Sequence, residues 1–168
     1  MKRLFLLRHA KSSWEDEDLP DHDRPLAPRG RKAAKRMAKH LRDEGIAPSL
    51  VLCSSARRTR ETLERVEPRG DVRVERELYG ASASQLLERL RRVPDETQSV
   101  MLIGHNPAVQ ELTLELAADG DRLADVERRF PTCALATLSL PGAWSGLEAG
   151  AAELVAFVRQ KELPGTRS

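Results

Sequence analysis

Two histidines and three arginines close apolar runs in this chain, and such a set could handle a phosphoryl group. "LFLLRH" (residues 4–9) ends on Arg8 and His9, "LVLCSSARR" (50–58) on Ser54, Ser55, Arg57 and Arg58, and "VMLIGHN" (100–106) on His105 and Asn106. A neutral imidazole, with an ordinary pKa of about 6.5, offers a nucleophilic nitrogen near pH 7. Attack by His9 on phosphorus would form a phosphoenzyme and divide one hard displacement into two easier ones. Arg8 and Arg58 would neutralise the equatorial phosphoryl oxygens, where transition-state charge resides. His105, protonated in the complex, would add a donor, and Ser54 and Asn106 are candidates for neutral hydrogen bonds to the substrate. Nothing in this chemistry requires a metal or cofactor, and no acidic cluster suggests a metal site.

Such a set acts only if the three runs end side by side, and the order of elements provides for that. Strands are expected at "KRLFLLRH", "SLVLCSS", "VRVERELY", "SVMLIGH", "TCALATLSL" and "AAELVAFVRQ". Helices alternate with the first four. In "PRGRKAAKRMAKHLRDEG", Pro28 suits the first turn, Ala34, Met37, Ala38 and Leu41 share a face, and Gly45 can end the helix. "ARRTRETLERV" is a second helix. Ser82 and Gln85 fit a capping box ahead of a third, and Asn106 and Pro107 fit the cap and first residue of a fourth, "AVQELTLELA". Unbroken apolar strands alternating with helices indicate an α/β fold: a three-layer α/β/α sandwich around a mostly parallel sheet. In such sheets ligands bind at the carboxyl ends of the strands, which is where the histidines and arginines lie.

At 168 residues the chain is expected to form one domain over residues 1–160, with a tail over 161–168. Charged residues make up 32 % of it but the formal net charge is only +2, and aromatic residues are 4 %. That balance argues against a nucleic-acid binder. No run is long enough to span a bilayer and no signal-peptide pattern opens the chain, so neither a membrane nor a nucleic acid is an expected partner. Cys53 and Cys133 lie in apolar runs without metal-ligand spacing and are expected to be reduced, buried thiols of a cytoplasmic protein. The acidic stretch "EDEDLPDHD" (15–23) reads as a solvated loop with His22 on its surface, and Trp14 and Trp144 as core or interface.

These residues resemble the histidine phosphatase superfamily, whose signature is Arg-His-Gly at the end of the first strand, and more narrowly its short SixA-type phosphohistidine phosphatases. "LFLLRHAKSSW" matches their opening, "DRPLAPRG" the loop and helix start that follow, and "LIGHNPAV" the second histidine with its helix. "CSSARRTRET" matches Ser-Pro-x-x-Arg-Ala-x-Gln-Thr, with Ser55 in place of the Pro and the arginine of the motif on Arg58. "FPTCALATLSL" matches a late strand, so the resemblance covers nearly the whole chain.

The resemblance implies a phosphoglycerate mutase-like fold without a large cap insertion. It makes His9 the phosphorylated nucleophile, completes the phosphate pocket with Arg8, Arg58 and His105, and leaves Arg57 at the rim. It implies a phosphorylated protein carrying phosphohistidine as substrate and inorganic phosphate as product. A broad-specificity phosphomonoesterase on small molecules and a non-catalytic phosphate- or phosphoprotein-binding module are the alternatives. Two departures stand out. Ala10 replaces the glycine of the superfamily signature, which favours the SixA-type group over the mutases. The acidic proton donor of larger members has no clear counterpart: in "RVERELYGAS", Glu77 is either a general acid or a surface carboxylate.

Overall fold

Successive side chains of a strand point to opposite faces of its sheet, and the apolar run that opens the chain is buried on both. In β1 (Lys2–Arg8), Leu4 and Leu6 enter one buried cluster while Phe5 and Leu7 enter another. β2 (Leu50–Ser54) and β4 (Ser99–Gly104) divide in the same way, with Leu52 and Leu102 in the first cluster and Cys53 and Ile103 in the second. A sheet that is apolar on both faces has to be covered on both. α3 (Ala83–Arg91) and α4 (Ala108–Leu116) cover the first face through Leu86, Leu90 and Leu112, joined by Val126 of the short α5 (Leu123–Arg128). α1 (Pro28–Asp43) and α2 (Arg57–Val66) cover the second through Ala34, Met37 and Val66. The result is the three-layer α/β/α sandwich expected, described here over residues 1–165 of a computed structural model.

Adding β3 (Asp71–Glu75), β5 (Ala117–Asp119), β6 (Leu135–Leu140) and β7 (Ala152–Val158) gives a seven-stranded sheet in the order β3-β2-β4-β1-β6-β7-β5. β3, β2, β4 and β1 pair in parallel, as do β5 and β7, while β6 is antiparallel to both its neighbours. β5 and α5 are absent from the sequence reading because elements so short show no periodicity.

Local signals set most helix ends. Pro28 opens α1, and Gly45 just beyond it takes φ +64° with nothing crowding the place of a side chain. The Ser82–Gln85 capping box forms with both of its hydrogen bonds. α4 begins one residue later than expected. Pro107 holds the cap position, and Asn106 sits before it with its Oδ1 accepting from the Gln110 N–H at 3.3 Å. Trp144 is core, its Nε1–H donating to the Thr97 carbonyl at 2.8 Å, whereas Trp14 is exposed with the Arg24 guanidinium 3.5 Å above its ring. Only residues 76–82 connect β3 to α3, which leaves no room for a cap domain. Of the tail, Leu163 is buried in the same cluster as Met37, and residues 166–168 lie outside the described residues.

One contact ties this framework to the strand end of interest. Gly30, in the first turn of α1, sits so close to the strap after β1 that a Cβ there would lie 2.1 Å from the Lys11 carbonyl oxygen. The same carbonyl accepts from the Ala27 N–H at 2.9 Å. Gly30→Ala is therefore expected to push the helix away from residues 10–11 and cost about 1–3 kcal/mol, as overpacking does. Thermal unfolding should show the loss.

Candidate active site

Strand register brings the three ends level. Arg8 of β1 pairs with Gly104 of β4, and Cys53 of β2 pairs with Ile103 of β4, so Arg8, Ser54 and Gly104 finish together. His9 and His105 follow directly, with the His9 N–H donating to the Gly104 carbonyl at 3.0 Å and the two rings 5.4 Å apart. From the other side the Cys133 N–H is shared between the carbonyls of Arg8, 3.1 Å away, and His9, 3.0 Å away. Cys133 reaches them from a left-handed backbone, φ +58°, a conformation that needs support from its surroundings. The strap that follows is tied to α2. The Ala10 N–H donates to Thr62 Oγ1 at 3.0 Å, and the same hydroxyl donates to the Arg58 carbonyl at 2.7 Å. Ala10 itself does not have positive φ, so glycine's freedom is not needed there.

His9 has a defined tautomer. Its Nδ1 lies 2.7 Å from the Ala10 carbonyl, which can only accept, so Nδ1 carries the hydrogen and Nε2 the free lone pair. Burial first, and then the neighbouring His105, Arg58 and Arg8, push the His9 pKa down to about 3 against a backbone hydrogen bond that raises it. Burial and Arg58 likewise bring His105 down to about 4. Both rings are neutral at neutral pH. His105 Nε2 is 2.8 Å from Ser54 Oγ.

The arginines are held by main-chain oxygens. Arg8 Nη1 donates to the Phe130 carbonyl at 2.9 Å, and Arg58 Nη1 to the Asp21 carbonyl at 2.9 Å. The Arg8 pKa is lowered by burial and by the like charges of Arg129 and Arg58. Arg8 Nε, Arg58 Nε and His105 Nδ1 are buried without a hydrogen-bond partner among the described residues. Buried polar atoms in folded proteins are seldom left so. Two guanidinium groups and unpartnered nitrogens beside a neutral nucleophilic ring make a place for an oxyanion such as a phosphoryl group.

The acidic loop contributes more than a solvated surface. Its end, a 3₁₀ turn over Asp21–Asp23, packs against the site. Asp21 Oδ2 accepts from Arg58 Nη2 at 3.1 Å and from the Tyr79 hydroxyl at 2.7 Å, while Oδ1 accepts from Arg24 Nε at 3.3 Å. The Tyr79 hydrogen bond and then Arg58 hold this carboxyl at about 2, so it stays ionised. His22 is not a free surface residue: its Nε2 lies 2.9 Å from Ser55 Oγ, and its ring meets Tyr79 edge-on at 4.7 Å. Tyr79 in turn meets His105 at 5.8 Å. Nothing local in "DHDR" signals these contacts, because only the fold brings residue 21 to residues 58 and 79.

Other candidates fall elsewhere. Glu77 is exposed and both its oxygens accept from Arg92 Nη2 at 3.0 Å, with none of its described contacts to His9, Arg58 or His105. Its role as a general acid is thus unsupported by position, and the carboxylate beside the cluster is Asp21. The Asn106 side chain serves the framework, Nδ2 donating at 3.0 Å to the same Phe130 carbonyl that Arg8 uses. Arg57 is exposed and paired with Glu61. Burial pushes the free thiols of Cys53 and Cys133 up to about 12, which makes them unreactive. Among the described residues no three His, Cys, Asp or Glu side chains gather as a metal site, and no helix is long and apolar enough to cross a membrane.

Comparison with known proteins agrees with this geometry. The model of the histidine phosphatase superfamily (branch 1) matches residues 4–129. An uncharacterised protein of Mycobacterium tuberculosis is 39 % identical over 155 residues, covering 90 % of this chain and 98 % of its own. Among solved structures, a candidate phosphohistidine phosphatase SixA from Nakamurella multipartitia is 32 % identical with a TM-score of 0.82, covering 94 % of this chain and 95 % of that one. Another from Agrobacterium tumefaciens is 31 % identical with a TM-score of 0.78, covering 94 % and 98 %.

The neutral imidazoles carry a consequence for stability. An unfolded histidine titrates near 6.5, while His9 and His105 in the fold titrate at about 3 and about 4. Below pH ~6.5 the unfolded chain therefore takes up protons that the folded chain refuses, and stability falls as pH falls toward those values. Thermal midpoints should drop between pH ~6.5 and ~4 and drop less in His9→Gln/His105→Gln. Equal slopes for the two proteins would contradict the assignment.

Proposed function

This chain belongs to the histidine phosphatase superfamily, and on that basis we propose that it hydrolyses phosphohistidine on a protein through a phosphoenzyme on His9. The observation that carries this reading is the neutral His9 ring, its Nε2 lone pair free and its Nδ1 fixed by the Ala10 carbonyl, beside the buried Arg58 and the half-buried Arg8. In the first step Nε2 attacks phosphorus and the bond from phosphorus to the leaving group breaks. The leaving group gains a proton, and phosphorylated His9 remains. In the second step water attacks that phosphorus, the His9–phosphorus bond breaks, and inorganic phosphate leaves. Arg8 and Arg58 stabilise the charge on the phosphoryl oxygens in both steps, so the reading calls for no metal. Ser54 and His105 border the same space, with His105 becoming a charged donor once a dianion raises its pKa.

Two features favour phosphohistidine as the substrate. The seven-residue run 76–82 replaces any cap, and an uncapped pocket admits a side chain on another protein. The carboxylate at the site, Asp21, is held ionised at about 2 and has no proton to donate. A departing imidazole needs no strong acid, because it is protonated readily near neutral pH, unlike an alkoxide. The likeness to the candidate SixA structures, at 32 % and 31 % identity, points the same way. Two free buried thiols fit action in the cytoplasm.

His9→Ala is expected to abolish hydrolysis of a phosphohistidine peptide while circular dichroism and the unfolding midpoint stay near wild type. Arg58→Ala should lower turnover by roughly 10²–10³-fold, the usual cost of one charge-stabilising donor. Rapid acid-free quenching of the wild type should trap acid-labile phosphate, and mapping it to any residue but His9 would end the mechanism. Sugar and nucleotide phosphates turned over faster than the peptide would replace the proposed substrate with small phosphomonoesters.

A further inference from the structure

A second feature adjoins the pocket and is not used by the chemistry. A groove of about 390 Å³ is lined by Lys11, Arg29, Lys32, Arg36, Thr132 and Lys161. A neighbouring depression shares Pro131, Gln160 and Lys161 with it and adds Asp125, Arg128, Arg129 and Arg159, the last paired with Glu162. We propose that this cationic groove docks an acidic segment flanking the phosphorylated residue of the protein substrate, an inference that rests on the function proposed above.

What marks the groove is the number of uncompensated cations that line it together. Several arginines and lysines elsewhere pair with carboxylates, as in Arg57–Glu61, Arg89–Glu75, Arg92–Glu77, Arg91–Glu88 and Lys39–Asp43, while others, such as Arg42, Arg65 and Arg73, form no such pair among the described residues but line neither depression. Lys11, Arg29, Lys32, Arg128, Arg129 and Lys161 are all exposed, and none pairs with a carboxylate among the described residues. The one carboxylate lining either depression, Asp125, is already held by Arg122 at 2.6 Å. With a formal net charge of only +2 on the whole chain, this is a local concentration and not an overall excess.

Continuity with the pocket identifies the occupant. Lys11 is two residues beyond His9. Arg129 precedes Phe130, whose carbonyl accepts from Arg8, and lies near enough to repel that guanidinium. Pro131 and Thr132 lead into Cys133, whose N–H holds the Arg8 and His9 carbonyls. A chain that presents a phosphorylated side chain to His9 therefore runs its neighbouring residues along these cations. Carboxylates suit them better than bases do, since no aromatic side chain lines either depression for stacking. Single exposed ion pairs contribute little, but several acting together speed encounter and discriminate among partners in a salt-dependent way.

The test compares two phosphohistidine peptides of equal length, one with Asp and Glu flanks and one with Ser and Ala flanks. The wild type is expected to favour the acidic peptide in kcat/KM by about 10-fold at low salt, through KM, and to lose the preference when salt screens the charges. Arg29→Glu/Lys32→Glu/Lys161→Glu should abolish the preference while turning over a small aryl phosphate at the wild-type rate. The same triple change to Gln should give an intermediate result. Equal kcat/KM for both peptides in the wild type, or a preference that survives the charge reversal, would overturn the groove assignment and leave the proposed function standing. If neither peptide is hydrolysed but the aryl phosphate is, the proposed function fails instead. Calorimetric binding of the unphosphorylated acidic peptide to the wild type but not to the reversed variant then upholds the groove, and its absence overturns it. A single-stranded oligonucleotide that competes more strongly than the acidic peptide would overturn the choice of occupant.

Discussion

Burying guanidinium groups next to one another is costly, because each loses its hydration and repels the other. Arg58 is buried and Arg8 half-buried, and the site is arranged around making that tolerable. Main-chain carbonyls of Phe130 and Asp21 take one nitrogen of each fork, and one carboxylate, Asp21, meets Arg58. Burial first, and then the two fixed positive charges nearby, keep both histidines neutral. The same arrangement that makes His9 a nucleophile thus leaves the pocket short of negative charge, which a phosphoryl dianion supplies.

The sheet makes this crowding possible by fixing where each group begins. Pairing of Arg8 with Gly104 and of Cys53 with Ile103 sets three strand exits at one level. Backbone hydrogen bonds then hold the exits without spending any catalytic side chain: Cys133 on the carbonyls of Arg8 and His9, and Gly104 on the N–H of His9. Thr62, the last residue of the arginine motif, explains its own place there. It joins the strap after His9 to the helix turn that carries Arg58, so the nucleophile and its clamp move as one body.

The groove and the pocket divide recognition between them. The pocket is built from buried groups whose hydrogen bonds are specified atom by atom, which suits a phosphoryl group. The groove is built from exposed cations after β1, on α1, at and just after the end of α5 and on the 3₁₀ turn after β7, which suits a partner read by charge.

Much of this is legible in the amino-acid sequence. Apolar runs of four to six residues alternating with capped helices required a sheet buried on both faces, and the histidines and arginines stood at the ends of those runs because a parallel sheet directs its ligands there. Local chemistry was likewise readable: Pro28, Gly45 and the Ser82–Gln85 box act within a few residues of themselves. What only the tertiary structure decided are contacts between distant segments of ordinary composition. Asp21 reads as one more acid in an acidic loop until Arg58 and Tyr79, 37 and 58 residues away, converge on it. Glu77 reads as a candidate acid until Arg92 claims it. The depressed acidity of His9 and His105 is also a tertiary result, since it comes from burial and neighbouring charge and not from the residue type. Periodicity and caps are short-range and survive in one dimension, whereas electrostatic environment is a sum over everything the fold brings near.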